Sequence, residues 1–310
     1  MNKPDRYYSR WKYIRTRWEL YLMLLLPVAF VFVFNYLPMG GLIIAFKDFK
    51  LRQGIWGSPW ASNFGFNQFI RFFSNYNFYS SLRNTLVLSI YSLLITIPSS
   101  VLLATGLNYV YKTVFKKAVQ MISYFPYFIS SIVIASIINM IFNTRTGVLG
   151  RLYMALTNSN ILADANMFSH LYVWSGVWQG VGFGAIIYMA AFSNVDPQLH
   201  EAAIIDGATV LRRIWSIDLP SIIPMVTIMF ILNMGSVLNI GYEKVLAMQN
   251  QNNLSTSEVI STYAYKVSLA ANIPDFSYGT AIGFFQSIVG LVLILITNKL
   301  ANKLTGTGFW

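Results

Sequence analysis

Long apolar segments alternate with shorter polar ones along the whole chain. A helix needs about 20 predominantly apolar residues to cross a bilayer. Six segments meet that requirement, and they cover residues 20–45, 85–109, 118–142, 171–192, 221–240 and 278–300. Prolines lie inside or near an end of the first, third and fifth, which a helix bundle tolerates because neighbouring groups satisfy the freed carbonyls. The pattern therefore predicts an all-α membrane protein with six transmembrane helices.

The composition supports a membrane location and excludes several kinds of chemistry. Of the 310 residues, 55% are hydrophobic and only 11% are charged, whereas soluble domains carry about 25% charged residues. The sequence has no cysteine and two histidines, which excludes thiol catalysis and disulfides and argues against a metal site. The first apolar segment is too long for the core of a signal peptide and lacks an A-x-A cleavage site, so we expect an uncleaved first span.

The basic residues predict which side of the membrane the termini occupy. Of the 22 Lys and Arg residues, 13 lie in segments 1–19, 110–117, 193–218 and 299–310, and nine lie in the longer segments on the other side. Cytoplasmic loops carry an excess of basic residues, so both termini are expected in the cytoplasm. Residues 1–19 form a basic and aromatic tail, which is expected to anchor and orient the chain; a nucleic-acid arm is the alternative, and we expect no nucleic-acid partner. Residues 20–310 are expected to form one membrane domain.

Residues 55–79, on the side opposite the termini, are rich in aromatic side chains. They include Trp56 and Trp60 and the run from Phe69 to Phe73. One interpretation is an amphipathic helix that lies in the outer interface with tryptophan anchors. The other is a surface on which a delivery protein lands, and the two interpretations are compatible.

The polar segment between the fourth and fifth spans, residues 195–220, predicts a helical hairpin. Asp196 and Pro197 are typical of a helix start, because the carboxylate accepts backbone N–H groups and proline loses no hydrogen bond there. Gly207 is placed to end that helix in a left-handed conformation. A second short helix is expected over residues 209–217, and the Leu-Pro pair at 219–220 is expected to open the fifth span. Such a hairpin suits the docking of another protein.

Small residues recur at four-residue intervals in two of the spans. Gly176, Gly180 and Gly184 lie in the fourth span, and Gly279 and Gly283 lie in the sixth. Small residues on one helical face allow helices to approach closely in lipid, where apolar burial contributes little. These faces are expected to pack either inside this chain or against a second subunit.

Polar side chains near the end of the fifth span form the candidate substrate path. Asn233, Ser236 and Asn239 lie at three-residue spacing, which places them on one face of a helix. Because desolvating amides and hydroxyls costs free energy, they are expected to face the bundle interior or a water-filled path. Amides both donate and accept hydrogen bonds, which suits sugar hydroxyls. Hydrogen bonds between helices are the alternative.

The residues that follow extend this candidate path. Tyr242 and Glu243 come directly after it, and Lys244 is next. Glu243 and Lys244 are expected to close its outer end as a gate or an ion pair.

No constellation typical of an enzyme occurs in the sequence. The predicted spans lack paired carboxylates at helical spacing, and the chain lacks H-E-x-x-H, G-x-S-x-G and G-x-x-x-x-G-K-[ST] patterns. Ion-driven carriers commonly hold Asp, Glu or His inside the membrane, and these spans are nearly free of them. We therefore expect a non-catalytic transmembrane subunit that draws its energy from elsewhere. The alternative is a membrane-embedded enzyme or assembly factor for cell-envelope glycans, which would need a carboxylate cluster or a metal site.

The hairpin segment carries a family resemblance. Its spacing is Glu-Ala-Ala, three residues, Gly, nine residues, Ile, one residue, Leu-Pro. This spacing resembles the EAA loop of permease subunits of ATP-binding-cassette importers. In that family the first short helix of the loop sits in a cleft of the ATPase subunit and transmits its closure to the spans. The resemblance assigns this coupling role to Glu201, Ala202, Ala203, Asp206, Gly207, Leu219 and Pro220.

Other segments are similar to the complex-carbohydrate importer permeases, which resemble the maltose-type permeases. These segments are YLPMGGLIIAFKDF at 36–49, Asn84-Thr85 opening the second span, NMGSVLNIGYEKV at 233–245, EVISTYAY at 258–265 and the terminal GTGFW. The resemblance implies the type I importer permease fold, with its core at about residues 81–300 and a cytoplasmic coupling helix. It also implies that the cargo is an oligosaccharide from polysaccharide breakdown. A non-sugar solute such as amino acids or peptides is the alternative.

The same resemblance implies the partners of the chain. They are a second, homologous permease in a heterodimer, two ATPase subunits that bind ATP and Mg²⁺, and an extracellular solute-binding protein. The binding protein is lipid-anchored in the Gram-positive bacteria in which these systems are common. This chain itself is expected to bind no cofactor and to lie in the cell membrane as a multi-pass protein.

Overall fold

The described part of the chain consists of helices joined by short connections. The structure is a computed structural model that describes residues 15–306 and residue 308, so most of the predicted basic tail and most of the terminal GTGFW lie outside the described residues. Lys47 and Trp60 form an isolated antiparallel bridge.

The α-helices have the following bounds. They are α1 (Trp18–Val31), α2 (Leu37–Met39), α3 (Gly54–Gly57), α4 (Asn67–Phe73), α5 (Tyr76–Asn108), α6 (Thr113–Tyr124), α7 (Ser131–Ile141), α8 (Val148–Thr157), α9 (Ala165–Phe192), α10 (Pro197–Ile205), α11 (Val210–Arg213), α12 (Leu219–Gly235), α13 (Tyr242–Met248), α14 (Leu254–Ser257), α15 (Ile260–Ser268) and α16 (Phe276–Thr305). Tighter 3₁₀ turns cover Gly40–Phe46 and Phe125–Phe128, and wider π turns cover Phe32–Tyr36 and Ile214–Asp218.

Five continuous helical segments among the described residues are long and apolar enough to cross a membrane. They are Trp18–Phe46, Tyr76–Asn108, Ala165–Phe192, Val210–Gly235 and Phe276–Lys303. A bent pair, Thr113–Phe128 with Ser131–Ile141, brings the number of crossings to six when it is counted as one span. The prediction of an all-α membrane protein is confirmed, and six spans are reached only with the bent pair.

The second span begins earlier than the apolar pattern predicts. Asn75 accepts a hydrogen bond from the Asn77 backbone N–H at 2.8 Å, and this cap starts α5 at Tyr76. The prediction that Asn84 and Thr85 open the span was wrong, because a capped helix extends through its polar first turns. Both residues lie inside α5 and are buried.

These two residues instead hold the segment between α14 and α15. The Asn84 amide donates to the backbone carbonyls of Ser255 and Glu258 at 2.9 and 3.0 Å. The Thr85 hydroxyl accepts from the Ile260 N–H at 3.0 Å. Buried backbone groups at the ends of short helices need such partners, so α5 fixes the start of α15.

The third predicted span is broken, which corrects the expected straight helix over residues 118–142. Its two halves meet at an angle of 100°. Pro126 lies in the 3₁₀ turn before the break, and Ile129 is extended. The freed Ile129 carbonyl accepts a hydrogen bond from the Gln179 side chain of α9 at 2.9 Å. Irregular backbone at membrane depth is tolerated where protein groups satisfy it in this way.

The fifth span differs from its predicted limits at both ends. Leu219 and Pro220 do not open a separate helix, because a π turn joins α11 to α12 without a break. The predicted second hairpin helix is therefore the first part of the span. At the other end the helix stops at Gly235, and Ser236 is already outside it. A helix stop at a glycine followed by a serine agrees with their low helix propensities.

The aromatic segment that follows the first span folds into two short helices and not into one amphipathic helix. Trp56 in α3 and Trp60 after it are 85% and 62% exposed. Phe72 in α4 is fully buried. The single amphipathic helix of the first interpretation is therefore absent, whereas the exposed tryptophans suit both an anchor in the outer interface and a landing surface.

Three buried clusters connect the helices. The first links α4, α15 and α16 with the chain after α12, the second links α5, α7, α9 and α13, and the third links α5, α9 and α12. Their buried members are Phe72, Val237, Leu238, Ile260, Tyr263, Tyr278 and Ile282; Leu88, Ala135, Phe168, Ile240, Val245, Met248 and Val259; and Ala104, Ala185, Tyr188, Phe192 and Ile222.

The first span packs against little else in this chain. From Trp18 to Met39 none of its residues is buried, although nearly all are apolar. Helical segments with apolar residues on all sides belong in a membrane or a protein interior. Lipid or another subunit must therefore cover this helix.

Candidate functional site: an exposed hairpin and a polar cavity

The hairpin between α9 and α12 begins as its sequence predicts. Asp196 caps α10 by accepting the Gln198 backbone N–H at 2.9 Å, and Pro197 is the first helical residue. The helix ends at Ile205, and Gly207 takes the left-handed conformation with φ of +76°. The Ala208 N–H then donates to the Ala203 carbonyl at 2.8 Å. This is the bonding pattern that closes a helix at a left-handed glycine.

The outward face of α10 is exposed and partly apolar. Glu201, Ala202, Asp206 and Gly207 are exposed, and Ala203 is half-buried. Three large apolar side chains on the same helix are also exposed, namely Leu199, Ile204 and Ile205 at 52%, 56% and 86%. A charged residue beside small and apolar ones makes a surface that a protein partner can cover.

The inward face of α10 is tied to two spans. His200 Nε2 lies 3.3 Å from Asp218 Oδ1, and the Asp218 carboxylate is completely buried. The Tyr109 hydroxyl, just after α5, donates to Asp218 Oδ2 at 2.6 Å. Burial raises the pKa of this hydroxyl to about 12, and the hydrogen bond to Asp218 acts in the same direction. Asp218 therefore joins the hairpin to the ends of the second and fifth spans.

Leu219 and Pro220 occupy the start of α12, directly after Asp218. Leu219 packs against the third buried cluster, and Pro220 is exposed. Neither residue belongs to α10, and both lie where the hairpin joins the fifth span.

A cavity of about 330 Å³ that mixes polar and apolar side chains, here called the polar cavity, lies between α5, α9 and the end of α12. Its wall on α5 includes a stripe of hydroxyl side chains at helical spacing, beside Leu93 and Ile97: Ser89, Ser92, Thr96 and Ser100. Sequence reasoning missed this stripe because the second span was interpreted by its apolar residues alone. The spacing of these hydroxyl residues, at intervals of three, four and four positions, is the sequence signal that indicates a shared helix face.

The three polar residues at the end of the fifth span and just after it line the same cavity. Asn233, Ser236 and Asn239 all contribute to its wall and are exposed. They do not share a helix face as predicted, because α12 ends at Gly235 and the following turn brings Ser236 and Asn239 round. Among the described residues, the Asn233 and Ser236 side chains donate only to carbonyls of their own segment, at 2.7 and 3.0 Å. Their side chains are thus available to the cavity.

A second cavity of about 450 Å³ adjoins the first and shares Ser92, Thr96 and Tyr172 with it. Tyr242, Glu243 and Lys244 line it. The predicted ion pair is absent: Glu243 is exposed, while Lys244 is buried and donates to the Tyr172 carbonyl at 3.2 Å. Burial lowers the pKa of the Lys244 ammonium to about 8.

The predicted glycine faces divide into close contacts and open positions. A Cβ on Gly184 would press on Ser100, and one on Gly279 would meet Ser268. A Cβ on Gly176 would face the Lys244 ammonium, whereas a Cβ on Gly180 or Gly283 would have no neighbouring side chain or other segment within 4 Å. Packing inside this chain therefore does not explain Gly180 and Gly283, and their contact with a second subunit stays a prediction.

Sequence reasoning missed two further close glycine contacts between helices. A Cβ on Gly182 would collide with the Ser123 carbonyl of α6, and one on Gly290 with the Gly235 carbonyl. Gly182 lies outside the four-residue series in the fourth span, so periodicity did not mark it. Within the described residues, no group of three or more His, Cys, Asp or Glu is placed to hold a metal ion.

The fold and the hairpin define a class of membrane transport protein. The chain belongs to the family described as binding-protein-dependent transport system inner membrane components, whose model matches residues 96–305. This confirms the resemblance seen in the hairpin, and it makes the chain a transport component. An enzyme of envelope glycans is thereby disfavoured.

Two relatives and one solved structure resemble nearly the whole chain. Protein LplB of Bacillus subtilis is 40% identical over 298 residues, which are 96% of this chain and 92% of LplB. The polygalacturonan/rhamnogalacturonan transport system permease protein YteP of the same organism is 38% identical, over 94% and 90% of the two chains. A chain of the bacterial alginate ABC transporter, crystallised with its alginate pentasaccharide-bound periplasmic protein, superposes with a TM-score of 0.84 at 34% identity. The match covers 96% of this chain and 99% of that chain, which confirms the importer permease fold.

Proposed function

We propose that this chain forms one half of the transmembrane pore of an ATP-driven importer for an oligosaccharide. The names of the relatives support a sugar cargo: one carries polygalacturonan or rhamnogalacturonan, another arabinooligosaccharides, and the solved transporter carries alginate. The cavity supports it as well. Its hydroxyl and amide groups both donate and accept hydrogen bonds, which suits sugar hydroxyls.

A second permease completes the pore in this proposal. The unburied first span and the open positions Gly180 and Gly283 offer apolar and small-residue surfaces for it. Small residues favour close helix packing in membranes. The two permeases are different chains, so the pore is a heterodimer.

The remaining partners act on opposite sides of the membrane. One of the two ATPase subunits, which bind ATP and Mg²⁺, docks on the exposed face of α10 in the cytoplasm. A lipid-anchored solute-binding protein delivers the sugar from outside, and the Gram-positive organisms of two relatives, Bacillus subtilis and Streptococcus mutans, support a lipid anchor in place of a periplasm. The concentration of basic residues on the hairpin side supports this orientation.

The hairpin converts closure of the ATPase dimer into a change of access to the cavity. A displacement of α10 is transmitted to Asp218 through His200, and from Asp218 to the end of α5 through Tyr109. Both α5 and the end of α12 line the cavity. The hairpin and the cavity are therefore two separate binding sites that shift the same equilibrium between two conformations of the spans. Coupling between ATP and cargo requires such a shared equilibrium.

The exposed α10 surface, joined to both cavity-lining spans through buried Asp218, is the observation that carries this proposal. Glu201→Lys reverses a charge on that surface and is expected to reduce co-purification of the ATPase subunits. Arg151→Glu reverses a charge in α8, on the side predicted to be extracellular, and is the matched control. Wild-type amounts of bound ATPase together with wild-type uptake in the Glu201→Lys complex would overturn the proposed docking surface.

A further inference from the structure

Lys244 places a buried positive charge beside the polar cavity. Its side chain belongs to α13, and the residue is 6% exposed. The ammonium donates to the Tyr172 carbonyl at 3.2 Å and lies 4.8 Å from the centre of the Tyr172 ring. Both groups are neutral, so the positive charge itself stays unbalanced.

The described residues supply no carboxylate partner for this ammonium. Glu258 pairs with Lys266 at 2.5 Å, and Asp275 pairs with Arg71 at 2.6 Å. Glu243 borders the same cavity but is exposed and forms no salt bridge with Lys244. A buried charge without a partner destabilises a fold, so an anion that enters the cavity gains an interaction that the chain does not provide.

The wall opposite Lys244 is shaped to leave room for the ammonium. A Cβ on Gly176 of α9 would lie 3.5 Å from Lys244 Nζ. An ammonium has three N–H donors, and Tyr172 takes one of them. The others are available to a ligand in the second cavity, where Ser92, Thr96 and Gln179 add neutral polar groups.

We propose that Lys244 binds a carboxylate of the cargo, which makes the permease selective for oligosaccharides that contain uronic acid. This inference rests on the proposed import of an oligosaccharide and narrows its cargo to an acidic class. Neutral hydroxyl and amide groups recognise the sugar rings, while Lys244 discriminates by charge. Hydrogen bonds between charged groups are roughly twice as strong as neutral ones, so the acidic group contributes strongly to selection.

A cysteine reporter tests whether the cavity attracts anions, independently of any cargo. The sequence has no cysteine, and Ser92 lines both cavities. In the assembled complex, Ser92→Cys is expected to react roughly tenfold faster with an anionic methanethiosulfonate than with a cationic one, relative to a free thiol. Adding Lys244→Met should abolish this preference, Lys244→Arg should retain most of it, and the exposed Lys117→Met should leave it unchanged. An equal preference with and without Lys244 would overturn the proposal.

Protection of the same cysteine tests the sugar class. Trigalacturonate is expected to protect Ser92→Cys from a neutral thiol reagent at a concentration about tenfold lower than its fully methyl-esterified form, which has the same rings and no charge. The Lys244→Met complex should lose that ratio. Equal protection by acid and ester, or protection by neither, would overturn the assignment of a uronic-acid cargo.

A further arm separates failure of this inference from failure of the proposed function. If triglutamate protects and trigalacturonate does not, Lys244 binds anions but the cargo is not a sugar. That result would overturn both the uronic-acid assignment and the proposed oligosaccharide import. Protection by neutral maltotriose alone, without dependence on Lys244, would overturn only the role given to Lys244.

Discussion

His200 Nε2 lies 3.3 Å from Asp218 Oδ1, and this contact crosses from the exposed hairpin helix to a carboxylate with no exposed surface. Whenever the imidazole is protonated the two form an ion pair. Asp218 Oδ1 accepts no hydrogen bond from the described residues, and Oδ2 accepts one from the Tyr109 hydroxyl at 2.6 Å. One buried side chain thus connects the hairpin with the second and fifth spans.

Tyr109→Phe is expected to loosen this connection. It removes only the hydroxyl, so the buried Asp218 carboxylate loses its well-formed hydrogen bond. Bonds to charged groups contribute about 1.5–3 kcal/mol, and the thermal midpoint of the purified complex should fall accordingly. Tyr111→Phe, at an exposed tyrosine two residues on, is the matched control. Equal midpoints for the two variants would contradict the role given to Asp218.

Gly207→Val is expected to uncouple ATP hydrolysis from transport while the chain still inserts. No atom lies within 4 Å of the added Cβ position, so the disturbance is conformational and not steric crowding by neighbours. A left-handed residue other than glycine costs about 1–2 kcal/mol, which favours a different hairpin geometry. Cargo-stimulated ATPase activity in proteoliposomes measures the effect. Gly106→Val, at an uncrowded helical glycine in α5, is the control; coupled uptake by Gly207→Val at normal abundance would contradict the prediction.

Gly182→Ala is expected to destabilise the bundle more than Gly180→Ala. The first adds a Cβ that meets the Ser123 backbone, which cannot move aside as a flexible side chain does, and the second adds one into open space. Overpacking typically costs about 1–3 kcal/mol. Unfolding of the two purified variants in a denaturant series gives the comparison, and equal midpoints would contradict the packing described for α6 and α9.

Local sequence signals predicted the hairpin well because its ends depend on neighbouring residues. Asp196, Pro197 and Gly207 occupy the cap, first-turn and left-handed positions that their chemistry favours. Apolar length likewise predicted most of the spans. The break at Ile129 was not predicted, although Pro126 lies directly before it. The group that satisfies the freed Ile129 carbonyl is Gln179, 50 residues further along the chain, and local signals do not report such a partner.

The cavity shows the same division between local and distant effects. The polar residues near the end of the fifth span were predicted to line a path, and in the structure they lie on a cavity wall. Their arrangement differs because α12 ends early. Lys244 was predicted to form either a gate or an ion pair with its neighbour Glu243, whereas in the structure its ammonium donates to the Tyr172 carbonyl. Packing between residues far apart in the sequence determines the partner of Lys244, and no spacing pattern in the sequence predicts that partner.

Access to single cysteines tests most directly whether the hairpin controls the cavity. Cysteines at Asn233, Ser236 and Asn239 lie on the cavity wall, and cysteines at the buried Ile231 and Leu238 serve as controls. In the assembled complex, labelling of the three wall positions by a water-soluble thiol reagent should change when a non-hydrolysable ATP analogue is bound. Adding Gly207→Val should remove that change, because the hairpin no longer transmits closure.

The controls should stay unlabelled in both states. We expect labelling of the three wall positions to change on binding of the ATP analogue only when the hairpin is intact. If the three positions label equally in every state, or stay unlabelled while the variants still transport cargo, the cavity is not the path that the hairpin controls.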